Sequence, residues 1–461
     1  MKKGGVRKDM ITGKTAVTGL IGNPVAHTMS PLIHNTLAAD YSVDLTYMAF
    51  PVVKDLKSAV DGAYALGILG LNVTVPYKQA VMSFLKDTDE EAQKIAAVNT
   101  LVRDEEKGGW KGYNTDLAGL RYAFRCDHAD PAGRDAVLIG AGGAARTVAY
   151  CLASSGVRSL YILNRTAEHA QQLAADIGTA FPGLRVKTAG TDEAGSLPVK
   201  DAFAVQATSA GLAPHNELSP VTDPAFFDKL SYAFDLIYRP DRTVFLKMAE
   251  AAGCRVSNGL GMLLGQATAS FALWTGLEPD EAETEKIAHL LRRNYVLTGF
   301  MGSGKTTVGR TLADMAGLQF CDLDELLEKR EGRTISAIFE AEGETGFREK
   351  ETAQLRELAE KQESGLVFAT GGGIVGREEN RALLRKLGTV IWLRERPETV
   401  LARLSGDTSR PLLQGEDKQE KVRRLMEERS SLYNGSADTV IDVDELTPRQ
   451  IAARILDNQR T

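Results

Sequence analysis

The chain has 461 residues, of which 43% are hydrophobic and 25% are charged, and its formal net charge is −6. This composition is typical of a globular protein, and the length predicts about three domains. Because there is no long basic stripe, no apolar run that could span a bilayer and no CxxC spacing, we expect no nucleic-acid partner, no membrane partner, no zinc site and a cytoplasmic location.

Short apolar runs alternate with segments of helical period along most of the chain, beginning with the predicted strand Ala16–Ile21. Strands separated by helices favour parallel sheets with crossover connections. The expected fold class is therefore α/β throughout.

Polar residues follow the first predicted strands. Thr28 and Ser30 precede a helical segment, where their hydroxyls could face a ligand or cap the helix. Taken singly, Lys78 is most simply a surface lysine and Asp116 a helix N-cap. A Lys–Asp pair in one pocket could instead handle the proton that accompanies hydride transfer to a ketone.

A dinucleotide-binding pattern lies in the middle of the chain. The predicted strand Asp135–Ile139 leads into Gly140-Ala141-Gly142-Gly143-Ala144-Ala145 and then a helical run, which matches GxGxxA. The next strand, Ser159–Leu163, ends in Asn164-Arg165-Thr166. Arg165 stands where an NAD site typically has an acid and can pair with a 2′-phosphate, so the pattern predicts NADP(H); the alternative is a solvated turn arginine.

A boundary between two units is predicted near residue 290. Leu277-Glu278-Pro279-Asp280 ends one element, Glu281–Arg293 predicts a charged helix, and Tyr295-Val296-Leu297-Thr298 opens a new strand. No linker rich in Pro, Gly or Ser intervenes, so we expect two units joined almost directly.

The new strand leads into a phosphate loop, Gly299-Phe300-Met301-Gly302-Ser303-Gly304-Lys305-Thr306. The GxxxxGK[ST] spacing lets backbone N–H groups surround phosphate oxygens at the start of a helix. Lys305 should reach the β- and γ-phosphates, and the Thr306 hydroxyl should ligate Mg²⁺. A chance Gly-rich turn is the alternative, and the flanking strand and helix argue against it.

Residues further along indicate what accepts the phosphoryl group. Asp322 and Asp324 follow the predicted strand Leu318–Cys321, Arg348 lies in Glu344-Thr345-Gly346-Phe347-Arg348, and Gly371-Gly372-Gly373 follows another strand. Arg410 lies in a polar stretch suited to a closing lid. Each feature is weak alone, but together and in this order they indicate a small-molecule kinase.

Residues 14–290 resemble shikimate dehydrogenase, on the segments GLIGNPVAHTMSP, LNVTVPYK, AAVNTLV, GYNTDLAGL, LIGAGGAART, LNRT, ATSAGL and SNGLGMLLGQA. The resemblance implies an α/β substrate domain at 14–117 plus 258–290 and a Rossmann NADP domain at 118–257. It implies that Lys78 and Asp116 form the catalytic pair. The substrate-binding residues it implies are Thr28, Ser30, Thr74, Asn99, Tyr238 and Gln266. The cofactor-binding residues are Gly140, Gly142, Gly143, Ala144, Asn164, Arg165, Thr166, Gly261 and Met262.

Two positions depart from that family's pattern. Thr28 stands where Ser is common, and its extra methyl group could alter discrimination against quinate, a bulkier relative of shikimate. Gln206 stands where Asn is usual, on the cofactor side, and we expect a mild effect.

The segment 291–461 resembles shikimate kinase, on GFMGSGKTTVGRTLA, DLDELLE, IFEAEGETGFREKE, ATGGGIV, RPLL and the predicted helix Lys421–Tyr433. The resemblance implies a P-loop domain of the nucleoside-monophosphate-kinase type, with Lys305 and Arg410 catalytic and with Thr306 and Asp322 on the Mg²⁺ side. The shikimate-binding residues it implies are Asp324, Arg348, Gly371, Gly372, Gly373 and Arg429. The ATP-binding residues are Gly302, Ser303, Gly304, Thr307 and Arg403.

The two resemblances fit one another, because the product of the first enzyme is the substrate of the second. They imply a bifunctional shikimate-pathway enzyme with small-molecule substrates, 3-dehydroshikimate and shikimate, and with NADP(H), ATP and Mg²⁺ as cofactors. One alternative is a quinate/shikimate dehydrogenase, or one that uses NAD, fused to a kinase. The other is a non-catalytic sensor, which is disfavoured because Lys78, Asp116, Lys305, Asp324 and Arg410 are all present.

Overall fold

The computed structural model describes residues 11–25, 28–212, 215–361, 363–403 and 418–457. It divides into two compact units, Met1–Ala288 and His289–Thr461. None of the helices in the described ranges has the length and apolar character needed to cross a membrane.

The first sheet of unit 1 has the strand order β2-β1-β3-β5-β6-β4. Its strands are β1 Ala16–Gly22, β2 Leu45–Pro51, β3 Gly70–Val73, β4 Asp87–Thr88, β5 Thr100–Asp104 and β6 Gly109–Tyr113. Its helices are α1 Ser30–Asp40, α2 Leu56–Ala65, α3 Glu90–Ile95 and α4 Thr115–Cys126. The expectation of parallel sheets throughout is wrong here, since β5 runs antiparallel to both β3 and β6. The short turn between β5 and β6 permits a hairpin and leaves no room for a crossover.

The second sheet of unit 1 is parallel, with the order β12-β11-β10-β7-β8-β9. Its strands are β7 Asp135–Ile139, β8 Ser159–Leu163, β9 Arg185–Ala189, β10 Ala202–Gln206, β11 Leu230–Asp235 and β12 Arg255–Asn258. Its helices are α5 Gly143–Ser154, α6 Ala167–Ala180, α7 Pro224–Phe227 and α8 Val244–Ala251. The strand order reverses at β7, where the chain turns into Gly140, so the glycine-rich turn lies at the switch point at which such sheets bind ligands.

Two further helices follow, α9 Leu260–Thr275 in unit 1 and α10 Glu281–Arg292, in which the boundary between the units falls. Helix α9 packs closely on α4 because glycines lie at the crossing. A Cβ on Gly119 would come 2.4 Å from the carbonyl oxygen of Met262, and one on Gly265 would come 2.7 Å from Cβ of Tyr122. This close packing brings the side chains of α9 to the first sheet.

Unit 2 has one parallel sheet with the order β14-β15-β13-β16-β17. Its strands are β13 Tyr295–Thr298, β14 Gln319–Asp322, β15 Leu366–Ala369, β16 Thr389–Arg394 and β17 Thr439–Asp442. Its helices are α11 Lys305–Ala316, α12 Leu323–Glu331, α13 Ile335–Lys361 with a break at Gly343, α14 Glu378–Leu387, α15 Pro397–Arg403, α16 Lys418–Ser436 and α17 Pro448–Asp457. The α/β fold class is confirmed. The strand that leads into the phosphate loop is central, so the loop has neighbouring strand ends on both sides.

Candidate active sites

A cavity of 310 Å³ in unit 1 is lined by every substrate-binding and catalytic residue expected in that unit. The residues come from segments far apart in the chain: Thr28, Ser30, Thr74, Lys78, Asn99, Asp116, Tyr238 and Gln266. The structure therefore brings together side chains that the sequence related only through a resemblance.

Lys78 and Asp116 form an ion pair in this cavity. Lys78 Nζ lies 2.5 Å from Asp116 Oδ2, and the two side chains are 16% and 7% exposed. The other carboxylate oxygen accepts a hydrogen bond from Asn99 Nδ2 at 2.9 Å. The interpretation of Asp116 as a helix N-cap is wrong, because Asn114 is the N-cap of α4 and its side chain accepts from the Leu117 N–H. Asp116 lies in the first turn, where the helix dipole stabilises a carboxylate.

A cluster of three buried hydroxyls lies behind Asn99, and sequence reasoning missed it. Thr100 Oγ1 is 2.9 Å from Thr115 Oγ1, and Ser270 Oγ is 3.0 Å from each of them. Asn99 Oδ1 accepts from the Thr115 N–H at 2.7 Å, which fixes the amide so that Nδ2 faces the carboxylate. Asn72 Nδ2 donates to the cluster from the other side. Small hydroxyl residues distant in sequence give no motif that would reveal this contact.

Thr28 and Ser30 present paired hydroxyls at the start of α1. Thr28 Oγ1 donates to Ser30 Oγ at 3.1 Å, and both residues line the cavity. The N-cap of the helix is Met29, which makes no side-chain cap bond. Thr28 Oγ1 also accepts a hydrogen bond from the Ser30 N–H at 3.3 Å. Thr28 therefore satisfies a backbone donor at the start of the helix, and both residues line the cavity.

Of the glycine-rich turn after β7, Ala144 lines the same cavity, whereas Gly140, Gly142 and Gly143 are not among its lining residues. Gly140 has a φ of +112°, which an L side chain would strain, and a Cβ on Gly142 or Gly143 would meet nothing within 4 Å. Ala144 lines the cavity together with Met262. An open backbone surface at the start of a helix fits a bound pyrophosphate.

Of the remaining predicted cofactor residues, three lie at the end of β8 and one, Gly261, lies on α9. Asn164 Nδ2 donates to the Thr166 carbonyl at 2.9 Å, and Arg165 and Thr166 are exposed at the end of β8. An exposed guanidinium there fits a 2′-phosphate. Gly261 is not part of the cavity lining, and a Cβ placed on it would lie 3.2 Å from Cβ of Ala123 on α4.

In unit 2 the phosphate loop has the backbone that its glycines predict. Gly302 and Gly304 have φ values of +86° and +80°, a region that L side chains rarely adopt. Lys305 is buried, and its Nζ donates to the carbonyls of Gly299 at 2.9 Å and Phe300 at 2.8 Å. The lysine is therefore held against the loop that would surround the phosphates.

Two oxygen ligands stand beside the loop. Thr306 Oγ1 donates to Asp322 Oδ2 at 2.8 Å, and Asp322 Oδ1 accepts from the Asp324 N–H at 3.0 Å at the start of α12. Asp322 ends strand β14, rather than following it as predicted. No group of three or more His, Cys, Asp or Glu side chains suited to a metal occurs in the described part of the chain. Mg²⁺ in nucleotide sites needs few protein ligands, because phosphates and water complete its shell, so this pair fits it.

The triple glycine is contacted by every predicted acceptor-side residue. A Cβ on Gly371 would lie 2.9 Å from Asp324 Oδ1, and one on Gly373 would lie 2.0 Å from Arg348 Nη2. Arg429 Nη1 donates to the carbonyl of Gly372 at 3.0 Å. A carboxylate and two guanidinium groups thus surround one turn, an arrangement suited to a small hydroxylated acid.

This turn is continuous with the phosphate loop. A cavity of 460 Å³ is lined by Asp324 and Gly372 and also by the phosphate-loop residues Gly302, Ser303, Gly304, Lys305, Thr306 and Thr307. Arg403 lines the same cavity. The geometry therefore allows phosphoryl transfer from a nucleotide on the loop to an acceptor at the triple glycine.

Comparison with known proteins identifies a family for each unit. Three family models match unit 1: the shikimate dehydrogenase substrate binding domain over residues 20–101, shikimate/quinate 5-dehydrogenase over 126–187, and the shikimate 5′-dehydrogenase C-terminal domain over 259–288. A shikimate dehydrogenase (NADP(+)) from Moorella thermoacetica is 41% identical over 281 residues, which are 60% of this chain and 94% of the relative. The chain belongs to the shikimate dehydrogenase family. The shikimate kinase model matches residues 301–460, so the chain joins a dehydrogenase unit to a kinase unit.

Solved structures resemble the dehydrogenase unit. A crystal structure of a shikimate dehydrogenase in complex with NADP+ is 38% identical, with a TM-score of 0.56, over 61% of this chain and 97% of that one. A quinate dehydrogenase from Corynebacterium glutamicum in complex with NAD is 31% identical, with a TM-score of 0.55, over 59% of this chain and 99% of that one. The chain is thus similar to enzymes of both names.

Sequence reasoning did not identify Glu351 of the kinase unit, and one residue that it did identify, Arg410, lies outside the described residues. Burial raises the pKa of the Glu351 carboxyl to about 7, although Arg348 opposes the rise by donating to Glu351 Oε2 at 2.9 Å. Both residues lie on α13, so their spacing of three residues was the available signal. Arg410, the predicted lid arginine, belongs to the segment 404–417, which lies outside the described residues.

Proposed function

We propose that the chain catalyses two consecutive reactions of the shikimate pathway. The dehydrogenase unit reduces 3-dehydroshikimate to shikimate with NADPH, and the kinase unit phosphorylates shikimate with ATP to give shikimate 3-phosphate. The observation that carries the proposal is the Lys78–Asp116 pair in a cavity that also includes Ala144 and Met262, in a chain whose other unit is a shikimate kinase. The hydroxyl made by the first unit is then the acceptor for the second.

In the dehydrogenase unit, Lys78 is the proton donor. When bound, NADPH supplies a hydride to the carbonyl carbon, and Lys78 Nζ gives a proton to the carbonyl oxygen as it becomes a hydroxyl. Asp116, at 2.5 Å, orients the ammonium group and stabilises its charge. Asn99 holds the carboxylate in place through its other oxygen. The remaining cavity residues bind the substrate through its hydroxyl and carboxylate groups: Thr28, Ser30, Thr74, Tyr238 and Gln266.

The preference for NADPH rests on the turn after β8. Arg165 would pair with the 2′-phosphate, and Asn164 and Thr166 would add hydrogen bonds. The backbone at Gly140, Gly142, Gly143 and Ala144 would hold the pyrophosphate. The similarity to relatives named as NADP(+) enzymes supports this preference.

In the kinase unit, Arg348 and Arg429 bind the shikimate carboxylate, and Asp324 binds a ring hydroxyl next to the triple glycine. Lys305 and the loop N–H groups stabilise the charge on the transferred phosphoryl group. Thr306 and Asp322 are placed to hold Mg²⁺. A role for Arg410 as a lid residue stays a prediction.

A coupled assay tests the proposal on the purified chain. With 3-dehydroshikimate and NADPH alone, shikimate should accumulate as NADPH is oxidised. When MgATP is added, shikimate 3-phosphate should form in an amount equal to the NADPH oxidised. Failure of 3-dehydroshikimate to oxidise NADPH would contradict the assignment of the first unit, and accumulation of shikimate despite MgATP would contradict that of the second.

The second candidate is a dehydrogenase unit that acts on quinate or uses NAD. Thr28 and the similarity to a quinate dehydrogenase crystallised with NAD favour it. The comparison of kcat/KM for shikimate against quinate, and for NADP⁺ against NAD⁺, separates the two. Equal or better turnover of quinate would make this second candidate the correct one.

A further inference from the structure

An arginine and a glutamate lie beside the phosphate loop, at the ends of α15 and β16. Arg403 Nη1 donates to the carbonyl of Gly302 at 3.2 Å and also to Glu395 Oε1. The same nitrogen is 3.7 Å from the position that a Cβ on Gly304 would take. One guanidinium nitrogen therefore joins the glutamate to the backbone of the loop.

The two partners differ in exposure. The Glu395 side chain is 1% exposed and the Arg403 side chain is 42% exposed. Arg403 lines the cavity that contains the phosphate loop, and Glu395 is not among its lining residues. The glutamate thus contacts the arginine from the protein side and leaves the other side of the guanidinium facing the cavity.

A carboxylate at this position is costly for the fold. Its second oxygen, Oε2, is buried and has no hydrogen-bond partner among the described residues. An apolar side chain would fill the same space without the loss of hydration that a buried carboxylate suffers. Packing therefore does not account for a glutamate at position 395, whereas its ion pair with Arg403 does.

We propose that Glu395 is a positioning residue for the nucleotide: it holds Arg403 against the phosphate loop. The resemblance to shikimate kinase implies that Arg403 lies near the adenine of bound ATP, where the guanidinium held by Glu395 can stack on the base. The inference rests on the proposed kinase function. Guanidinium groups stack well on aromatic rings, and an arginine already fixed in position loses less side-chain freedom when the ligand binds.

The charges around Glu395 add a pH dependence. Burial raises the pKa of the Glu395 carboxyl to about 7; Arg403 and Lys305 oppose the rise, and Asp444 adds to it. As the pH falls through this value, the carboxylate gains a proton and its ion pair with Arg403 weakens. Binding of the base should therefore weaken on acidification.

The test uses the full chain with Glu395→Gln, which keeps the shape and removes the charge. Glu398→Gln is the matched control, because Glu398 lies on α15, as Arg403 does, but is 70% exposed, with a 3.8 Å contact to Arg423. We expect the Kd for MgADP, measured by titration calorimetry, to rise about fivefold in Glu395→Gln near pH 8. The kinase KM for ATP should rise in parallel, whereas kcat and the KM for shikimate should stay near wild type. Glu398→Gln should match wild type throughout.

A measurement without a substitution covers the case in which Glu395→Gln fails to fold. Adenosine carries the base and no titrating phosphate, so its inhibition constant against the wild-type kinase should rise from about pH 8 to about pH 6. A folded Glu395→Gln should show no such rise. Wild-type affinity for MgADP in folded Glu395→Gln, or a flat adenosine profile in the wild type, would overturn the inference. Absence of shikimate phosphorylation by the wild type would instead contradict the proposed function.

Discussion

At the scale of single residues, His34 shows how burial links this protein's stability to pH. Its ring is fully buried, stacks on Tyr47 with ring centroids 4.3 Å apart, and has no hydrogen-bond partner on either nitrogen within the described residues. Desolvation lowers the pKa of His34 from 6.5 to about 3, and the Asn72 side chain opposes the shift. The folded protein therefore requires the neutral ring.

The sign of the pH effect follows from that shift. The unfolded chain binds a proton near pH 6.5 and the folded chain does not, so stability is full above this pH and falls as the pH drops toward 3. The slope is about 1.4 kcal/mol per pH unit within this window. We expect urea unfolding of the dehydrogenase unit to show this loss between about pH 6.5 and about pH 5. In His34→Leu, unfolding should take up one proton fewer, so the free energy of unfolding should depend less steeply on pH. An unchanged slope in that variant would contradict this account.

At the scale of elements, the hydroxyl cluster joins β5, α4 and α9 behind the catalytic pair. We expect Thr100→Val, which removes the hydroxyl and keeps the shape, to lower the dehydrogenase kcat about tenfold, or ~1.4 kcal/mol of barrier. The reason is that Asn99 Oδ1 loses one of its donors, and Asn99 positions Asp116. Steady-state kinetics would measure the change.

The matched variant for this prediction is Thr100→Ser, which keeps the hydroxyl and loses only the methyl group. It should retain most of the wild-type kcat. If the serine and valine variants lost activity equally, packing rather than hydrogen bonding would be the cause. Kinase activity should not change in either.

A second element-scale prediction concerns the triple glycine. Gly373 has a φ of −107°, which alanine can adopt, but its Cβ would lie 2.0 Å from Arg348 Nη2. Gly373→Ala should therefore displace the guanidinium and raise the KM for shikimate by about tenfold or more, with little effect on the KM for ATP. Gly376→Ala is the control, since Gly376 is exposed and a Cβ there would meet nothing within 4 Å. Equal effects of the two substitutions would argue against a role for Arg348 at this turn.

At the scale of the whole molecule, each cavity is lined by residues of its own unit. In the full chain, Lys78→Ala should lower the dehydrogenase rate at least about 100-fold and leave the kinase rate intact, because a general acid contributes this much. Lys305→Ala should do the reverse. Separate assays on each variant would measure both rates, and loss of both activities in a folded single variant would show that the units depend on one another.

The sequence alone predicted most about the sites whose functional residues are neighbours along the chain. The phosphate loop and the glycine-rich turn each combine strand, loop and helix in one continuous segment, so their backbone geometry is encoded locally. The bounds of the strand Asp135–Ile139 were predicted correctly for the same reason. The parallel order of the second sheet agrees with the alternation of strands and helices along the sequence. The motif resemblances then supplied roles for distant residues such as Lys78 and Asp116.

Only the tertiary structure decided which distant side chains meet. The antiparallel pairing of β5 carries Thr100 to Ser270, 170 positions away, and the end of β16 buries Glu395 beneath Arg403. Serine, threonine and glutamate are common surface residues, so their identities carry no signal until strand order and helix packing remove them from water. Local chemistry is encoded in neighbouring residues, whereas burial and pairing depend on the whole chain.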